Sequence, residues 1–368
     1  MKVIHITADR REEWNAFVAQ ESSFALMQSW EWGEFKEKLG WKVVRVAIEQ
    51  DKRLVAGAQL LIKQMPLKVA SLIYVPRGPL VDWQNKELVS KLMTAIHAIG
   101  RQWRAMCLKI EPALPQTPDT LQALDGQGFH RGHHNNQPQA TIVVDLTPDP
   151  GTILTRMRKS TRRNIARSQR DGVTVRKGTE ADLPTVFRLL KETAKRAGFS
   201  ERSLDYYQEE WNALGCAGQL NILLAEYDEK IIAMSMDAIF GNRAASLHGA
   251  SLQEYNHLKA NDLLIWEFMQ HARSQGCVSY DLWGIPDEIA DITARGEEIP
   301  EDQTGGLWGV YYFKKGFGGE VVCYAGIYDY VYIRPLYSIM NLGVNIMGSV
   351  DSLAYWTDRI KLAMGNQA

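Results

Sequence analysis

Two stretches of the chain share one pattern of apolar and polar positions. One is VVRVAIEQDKRLVAGAQLLI, which begins at Val43, and the other is NILLAEYDEKIIAMSMDAIF, which begins at Asn221. Each has an apolar run rich in β-branched residues, a short charged segment and a second apolar run, an order typical of a β-hairpin. We therefore predict a β-hairpin at each position.

The segments after the two hairpins are also alike. KELVSKLMTAIHAIGRQWRAMCLKIEP follows the first hairpin, and NDLLIWEFMQHARSQGCVSYDLWG follows the second. In both, apolar positions recur at helical spacing before a short apolar run, which predicts an amphipathic helix and then a strand. The chain is thus predicted to contain two copies of one unit. Helix, hairpin, further strand, helix and strand is the order of the N-acetyltransferase-like (GNAT) fold, so we expect an α/β (α+β) protein with two tandem GNAT-like domains.

The boundary between the two copies is predicted near LTPDPG, where the periodic pattern is interrupted. Asp149 suits the N-cap of a following helix, and Pro150 suits its first position. The tail after Ile327, YDYVYIRPLYSIMNLG, is too apolar and aromatic to remain in solvent, so we expect it to pack on the first domain. The predicted domains are residues 1–150 with 328–368, and residues 151–327.

Composition supports a globular protein without a uniformly basic surface. A chain of 368 residues is longer than one ordinary core usually supports. Hydrophobic residues make up 45% of it, enough for a sizeable core, and the formal net charge is only -1. Any polyanion must therefore bind at a local cationic patch, and DNA is not an expected partner.

Nothing in the sequence predicts export, a membrane span or a metal site. The first residues, MKVIHITADRREEW, lack the apolar segment of a secretory signal, and no apolar run is long enough to cross a bilayer. We expect a cytoplasmic protein. HRGHH, residues 130–134, lacks a second ligand cluster and is interpreted as an exposed polar loop. Four cysteines follow no metal-ligand spacing and are expected to be reduced thiols: Cys107, Cys216, Cys277 and Cys323.

One segment concentrates positive charge. RMRKSTRRNIARSQRDG, residues 156–172, is predicted to lie on a single helix that runs from near Asp149 to just before Gly172. Cations at steps of three and four then share one face, a stripe roughly 20 Å long that matches a run of phosphates: Arg156, Lys159, Arg163, Arg167 and Arg170. The opposite face would rest on protein through Leu154, Met157, Thr161 and Ile165.

Two other interpretations of this cationic stripe stay open. It can be a solvated charged face, or it can pair with the acidic segment 287–302. Like charges four residues apart disfavour the bare helix, and a bound polyanion would relieve that cost.

Several separated motifs resemble one known family. In chain order they are QSWEWGEFKEKLGW, YVPRGPLVD, the cationic segment, LHGAS and YYFKKGFGG. They resemble the Fem (FemABX) family of peptidoglycan-bridge aminoacyltransferases, over about residues 25–330. The resemblance implies two GNAT-like domains, charged tRNA as donor, no other cofactor, and the stem peptide of UDP-MurNAc-pentapeptide or lipid II as acceptor. For a lipid-linked acceptor, a peripheral membrane contact is also open.

The resemblance also implies roles for single residues. The Phe-Lys motif of the family falls on Phe313 and Lys314, and Lys314 becomes the candidate for stabilising the oxyanion of acyl transfer. Apart from the resemblance, a lysine pair before Gly316 is equally typical of a helix end. The cationic stripe is the implied tRNA site.

The implied acceptor site combines cations with tyrosines. Cationic side chains suit a diphosphate, and tyrosines suit a sugar or base: Lys36, Arg202, Tyr206 and Tyr207. Apart from the resemblance, Lys36 would be a surface lysine and the tyrosines half-buried helix aromatics.

Two features depart from some members of the family. Only a connection of ordinary length separates Asn261 from Tyr280, so the chain resembles members without a coiled-coil arm. The acidic segment from Gly284 to Gly306 is either a lid or a surface loop.

Two rival functions are weighed against this one. An acyl-CoA-dependent N-acyltransferase would need a Gln/Arg-x-x-Gly-x-Gly/Ala turn for the pyrophosphate, and the nearest match ends on Val278 instead of a small residue. A non-catalytic RNA-binding protein could use the cationic segment, but would leave Lys36, Arg202 and Lys314 unexplained.

Overall fold

The computed structural model describes residues 1–65, 69–197 and 202–347. The strands of the described residues are β1 (Lys2–His5), β2 (Lys42–Gln50), β3 (Arg53–Gln64), β4 (Ser71–Pro76), β5 (Ala105–Glu111), β6 (His130–Arg131), β7 (Ala140–Asp145), β8 (Thr174–Lys177), β9 (Leu220–Tyr227), β10 (Lys230–Phe240), β11 (Arg243–Ser251), β12 (Ser279–Gly284), β13 (Glu320–Cys323) and β14 (Tyr328–Val331). Part of the predicted first domain, residues 348–368, lies outside the described residues.

Helices lie between some of these strands, whereas β2 to β4 and β9 to β11 follow one another directly. The α-helices of the described residues are α1 (Arg11–Val18), α2 (Trp30–Lys38), α3 (Lys86–Gln102), α4 (Pro118–Gly126), α5 (Pro150–Arg156), α6 (Lys159–Arg170), α7 (Leu183–Ala197), α8 (Leu204–Glu210), α9 (Ala260–Ser274), α10 (Glu288–Ala294), α11 (Trp308–Lys315) and α12 (Arg334–Met347). Among the described residues, short 3-10 turns occur at Ala8–Arg10, Leu26–Gln28, Glu180–Asp182 and Gln253–Leu258. A π turn occurs at Trp211–Gly215.

Two seven-stranded sheets have the same topology. The first sheet has the order β1-β2-β3-β4-β5-β14-β6, and the second, from its corresponding edge, has β8-β9-β10-β11-β12-β7-β13. Neighbours are antiparallel except β4 with β5 and β11 with β12, which are parallel and are joined through α3 and α9. The predicted hairpins are β2–β3 and β9–β10. The two-copy prediction and the α/β class are confirmed.

One strand of the second sheet comes from residues that were predicted to belong to the first domain. β7 precedes residue 150, yet it pairs with β12 and β13 in the second sheet. β14 lies in the tail that was assigned to the first domain, and it pairs with β5 and β6 in the first sheet. The predicted boundary at Pro148 to Gly151 is therefore a turn inside the second unit. The change of sheet occurs earlier, between β6 and β7, because the apolar run of β7 finds its backbone partners across the boundary.

The cationic segment forms two helices, so the prediction of one continuous helix is wrong. Asp149 does cap α5, since its side chain accepts a hydrogen bond from the Thr152 N–H at 3.0 Å. The helix ends at Met157, which has extended backbone and a side chain that is only 2% exposed. The Arg158 N–H bonds to the Gly316 carbonyl at 2.8 Å instead of continuing the helix. Arg162 then donates to the end carbonyls of α5, which satisfies groups that a helix end leaves open.

A buried apolar cluster joins the two halves of the molecule. It contains Trp14 and Phe35 from α1 and α2 of the first half. It also contains Leu190 and Tyr207 from α7 and α8 of the second half. Side chains on these helices are therefore held at fixed positions relative to one another, because protein cores are close-packed.

Candidate active site

Lys314 lies at the last turn of α11, beside the end of β12. Its Nζ donates a hydrogen bond to the Gly284 carbonyl oxygen at 2.7 Å. Burial lowers the pKa of Lys314 to about 8, and the negative charge of Asp281 opposes part of that lowering. The neighbouring Lys315 points elsewhere, with its Nζ 3.4 Å from the Gly319 carbonyl oxygen. The two lysines therefore have different surroundings, as their adjacent positions on a helix require.

Asp281 is the buried anion next to this lysine. Its side chain accepts hydrogen bonds from the Thr141 hydroxyl and from the Trp283 N–H, the latter at 2.7 Å. Burial raises the pKa of Asp281, and the charges of Arg77 and Lys314 work against that rise. Phe313, the other residue of the Phe-Lys motif, is a packing residue whose ring lies 5.3 Å from that of Phe317.

Residues of the predicted acceptor site come together from both halves. The Lys36 Nζ on α2 lies 5.6 Å from the ring centroid of Tyr206 on α8. The Arg202 guanidinium lies 5.5 Å from the same ring. Lys36 is only 5% exposed, so its interpretation as a surface lysine is wrong. Helix α8 covers it, and rings of Trp32 and Phe35 also surround the ammonium.

Tyr207 faces the protein interior. Its ring is in edge contact with His248 at 5.3 Å and lies 6.3 Å from Phe187. His248 in turn is 3.0 Å from the carboxylate of the buried Glu210. Tyr207 therefore supports α8 from within, whereas Tyr206 is the tyrosine that touches the cations.

The cationic residues lie where their helices face solvent. Arg156 is exposed and pairs with Asp145 at 3.0 Å, while Arg167 and Arg170 are exposed and pair with Asp171 at 3.0 and 3.2 Å. Lys159 and Arg163 are exposed as well. Four of the five predicted cations share α6, and Arg156 is separated from them by the break at Met157.

Buried side chains hold α6 and the start of the acidic segment on the protein. Thr161 and Ile165 of α6 are buried, as predicted for the face opposite the cations. Asp287 accepts hydrogen bonds from the Asn135 side chain at 2.8 Å and from the Gln139 N–H at 2.9 Å. The ion pairs seen for the cationic face use Asp145 and Asp171, and not residues of the acidic segment.

A cavity of about 230 Å³ lies between the halves, next to Asp281. Ser22, Phe24 and Pro115 line it from the first half, and Arg243 and Asp281 from the second. Within residues 1–65, 69–197 and 202–347, no three His, Cys, Asp or Glu side chains are arranged to hold a metal ion. Across the same residues, no helix combines the length and apolar character that crossing a bilayer requires.

Comparisons with known proteins agree with this architecture. A model of the FemAB family matches residues 10–123, and a model of the acetyltransferase (GNAT) domain matches residues 155–290. The chain is 24% identical to the lipid II:glycine glycyltransferase of Staphylococcus aureus (strain MRSA252), covering 92% of this chain and 95% of that protein. The chain is therefore similar to the FemAB family in its first half and to a lipid II:glycine glycyltransferase over most of its length.

Solved structures show which fold the chain shares. The crystal structure of FemX is similar with a TM-score of 0.81 and 23% identity, covering 92% of this chain and 99% of that one. A tandem GNAT protein from the clavulanic acid biosynthesis pathway has a TM-score of 0.53 and 12% identity, covering 90% and 98%. The predicted pair of tandem GNAT-like units is confirmed.

Some residues near the candidate site were not singled out from the sequence. The pair of Glu210 and His248 brings the LHGAS motif against α8. The charge of Asp281 acts on Lys314, and the charge of Arg77, in the YVPRGPLVD motif of the first half, acts on Asp281. The LHGAS and YVPRGPLVD motifs were the sequence features that could have pointed to His248 and Arg77. Only the fold shows which elements these residues contact.

Proposed function

We propose that this protein transfers an amino acid from aminoacyl-tRNA to an amine of the stem peptide of a peptidoglycan precursor, UDP-MurNAc-pentapeptide or lipid II, and so helps to build the interpeptide bridge. The observation that carries the proposal is the Lys314 ammonium, bonded to the Gly284 carbonyl oxygen at 2.7 Å and facing Asp281. Similarity to the FemAB family and the name of the S. aureus relative support it. Because charged tRNA is the donor, the cytoplasm is the compartment that we propose.

The reaction needs positioning and charge stabilisation. The acceptor amine attacks the ester carbonyl, a C–N bond forms, and the carbonyl oxygen becomes an oxyanion. The C–O bond to the tRNA ribose then breaks, and the amine proton passes to the departing hydroxyl. A preorganised cation beside the oxyanion is an effective catalyst for this step. With a pKa of about 8, Lys314 is still about nine-tenths charged at pH 7, so it can fill that role.

The acceptor would bind where α2 meets α8. The Lys36 ammonium and the Arg202 guanidinium both lie within 6 Å of the Tyr206 ring, so two cations from separate halves converge on one aromatic side chain. A diphosphate suits such a pair. Tyr206 can stack on a sugar or base, and Tyr207 holds α8 in place.

The donor tRNA would bind along α6. Its exposed cations can neutralise phosphates and release counterions, which makes affinity strongly dependent on salt: Lys159, Arg163, Arg167 and Arg170. Arg156 on α5 would extend this face past the break.

The direct test is transfer measured by mass spectrometry. The protein is incubated with purified UDP-MurNAc-pentapeptide or lipid II and a mixed pool of charged tRNAs, and in parallel with acyl-CoA. We expect the precursor to gain the mass of one amino acid residue only with charged tRNA. Transfer from acyl-CoA, together with none from any charged tRNA, would refute the proposal.

A further inference from the structure

Strand β12 contains a bulge immediately before Gly284. Asp281 pairs with Val143 and Gly284 pairs with Thr141, so two residues of β12 lie opposite the single Ile142. Trp283, in this bulge, has φ +66, a left-handed conformation that is unfavourable for a bulky side chain. Bulges of this kind re-aim the backbone next to functional sites.

This bulge sets the direction of the carbonyl that holds the catalytic lysine. The Gly284 oxygen accepts the hydrogen bond from the Lys314 Nζ. On its other side Gly284 is packed so closely that an added Cβ would lie 2.9 Å from the Pro138 ring. The Gly284 carbonyl is thus fixed between the residue before it, Trp283, and Pro138.

Arg77 reaches both of these neighbours from the first half. Its Nη2 donates to the Pro138 carbonyl oxygen at 3.1 Å, and its guanidinium lies 5.5 Å from the Trp283 ring centroid. It also lies 4.4 Å from the Tyr324 ring centroid and is only 4% exposed. A buried guanidinium stacked on aromatic faces is a rigid contact, because its planar group is held on several sides.

We propose that Arg77 is a positioning residue for Lys314. By holding Trp283 and Pro138 on either side of Gly284, it fixes the carbonyl to which the Lys314 ammonium is bonded. The first half of the chain thereby controls the geometry of the lysine in the second half. The effect of Arg77 on catalysis rests on the proposed function. Its effect on the position of Lys314, through Trp283, Pro138 and Gly284, does not.

The first experiment measures Lys314 without any substrate. An amine-reactive reagent is applied at pH 8, and the labelling rate of each lysine is read by peptide mass spectrometry. In Arg77→Met we expect Lys314 to be labelled at least about threefold faster, because loss of the brace frees its ammonium, with Lys315 unchanged. Equal labelling of Lys314 in the folded variant and the parent would overturn the proposal.

Two further variants separate positioning from general destabilisation. Arg45→Met removes a similarly buried guanidinium that lies 3.6 Å from the Trp30 ring centroid and donates to the Trp30 carbonyl, and it should leave Lys314 labelling unchanged. Trp283→Gly removes the ring and also relieves the positive φ, so folding is expected to survive while Lys314 labelling rises. Faster labelling of Lys314 in Arg45→Met, or unchanged labelling in Trp283→Gly, would contradict the proposal that Arg77 positions Lys314 through Trp283.

The second experiment is a double-mutant cycle on single-turnover rates. Arg77→Met should lower the rate about tenfold in the parent, since small misplacements of catalytic groups have such effects, and less than about twofold when Lys314→Met is already present. Apparent KM values for donor and acceptor should change less than about twofold. An equal loss in both backgrounds would mean that Arg77 acts independently of Lys314. If the parent transfers nothing, the proposed function fails, while the labelling experiment still decides the role of Arg77.

Discussion

Replacing Asp281 with Asn isolates the electrostatic support of Lys314. The amide oxygen that Asp281→Asn introduces can still accept the hydrogen bonds from the Thr141 hydroxyl and the Trp283 N–H, so the change removes charge and keeps the local shape. Burial lowers the pKa of Lys314 to about 8 even though the Asp281 charge raises it. Without that charge, the pKa must therefore fall further.

The size of the effect depends on how strongly the Asp281 charge acts on Lys314. If removal of that charge lowers the lysine pKa by about one unit, the change corresponds to about 1.4 kcal/mol. The pKa of Lys314 would then lie at about 7 in Asp281→Asn. At pH 8 the charged fraction falls from about one half to about one tenth, roughly a fivefold loss, whereas at pH 6.5 most of the lysine stays charged.

The direction of the pH shift depends on which protonation state of Lys314 is active. In the proposed mechanism the protonated Lys314 stabilises the oxyanion, so activity should be present below the lysine pKa and be lost as pH rises through it. In Asp281→Asn the alkaline limb of the single-turnover rate should therefore move about one pH unit toward lower pH, with the rate near pH 6.5 almost retained. Rates are measured between about pH 6 and 9 with saturating charged tRNA.

A matched control is Asp237→Asn. Asp237 is also a buried carboxylate that receives a hydroxyl hydrogen bond, from Tyr280 of β12 at 2.5 Å, but it lies on β10, and the charge that acts on Lys314 is that of Asp281. Its removal should leave the alkaline limb in place. An alkaline limb that stays fixed or moves to higher pH in Asp281→Asn would refute the assignment of Lys314 as the titrating cation.

Three other substitutions test the remaining parts of the site. Lys314→Met should lower kcat by a hundredfold or more, about 3 kcal/mol, with precursor binding retained, whereas Lys315→Met should be mild; equal mild losses would remove Lys314 from the mechanism. Arg163→Glu with Arg167→Glu should weaken tRNA binding and flatten its salt dependence, while precursor affinity is nearly unchanged; an unaltered salt slope would return α6 to a solvated charged face. Arg202→Ala should raise the acceptor KM without changing tRNA affinity, and normal acceptor binding in titrations would exclude it from the site.

Local patterns were sufficient for most of the secondary structure. The hairpins and the helix–strand pairs after them were predictable because apolar periodicity reports which face of an element is buried. Asp149 and Pro150 were recognisable as a helix start for the same local reason. The motifs also indicated the family resemblance, and with it Lys314 as a residue to examine.

Contacts between distant segments were not predictable in this way. An apolar run such as β7 suits either sheet, and the backbone partner across the boundary decides which sheet it joins. The helical pattern of the cationic segment continues through Met157, but the bond from the Arg158 N–H to the Gly316 carbonyl ends the helix there. In both cases a hydrogen bond to a residue far along the chain replaces the local one.

The chemistry of the site depends on the tertiary structure still more. Residue type and motif identify Lys36 and Lys314 as candidates. The pattern along one helix cannot show that α8 buries Lys36. Nor can it show that burial lowers the pKa of Lys314 while Asp281 opposes the change. A side-chain pKa depends on solvent exclusion and nearby charge, and these arise only when elements from both halves pack together. The sequence alone therefore determines which groups the site contains, and the packing of the two halves determines their charge state and direction.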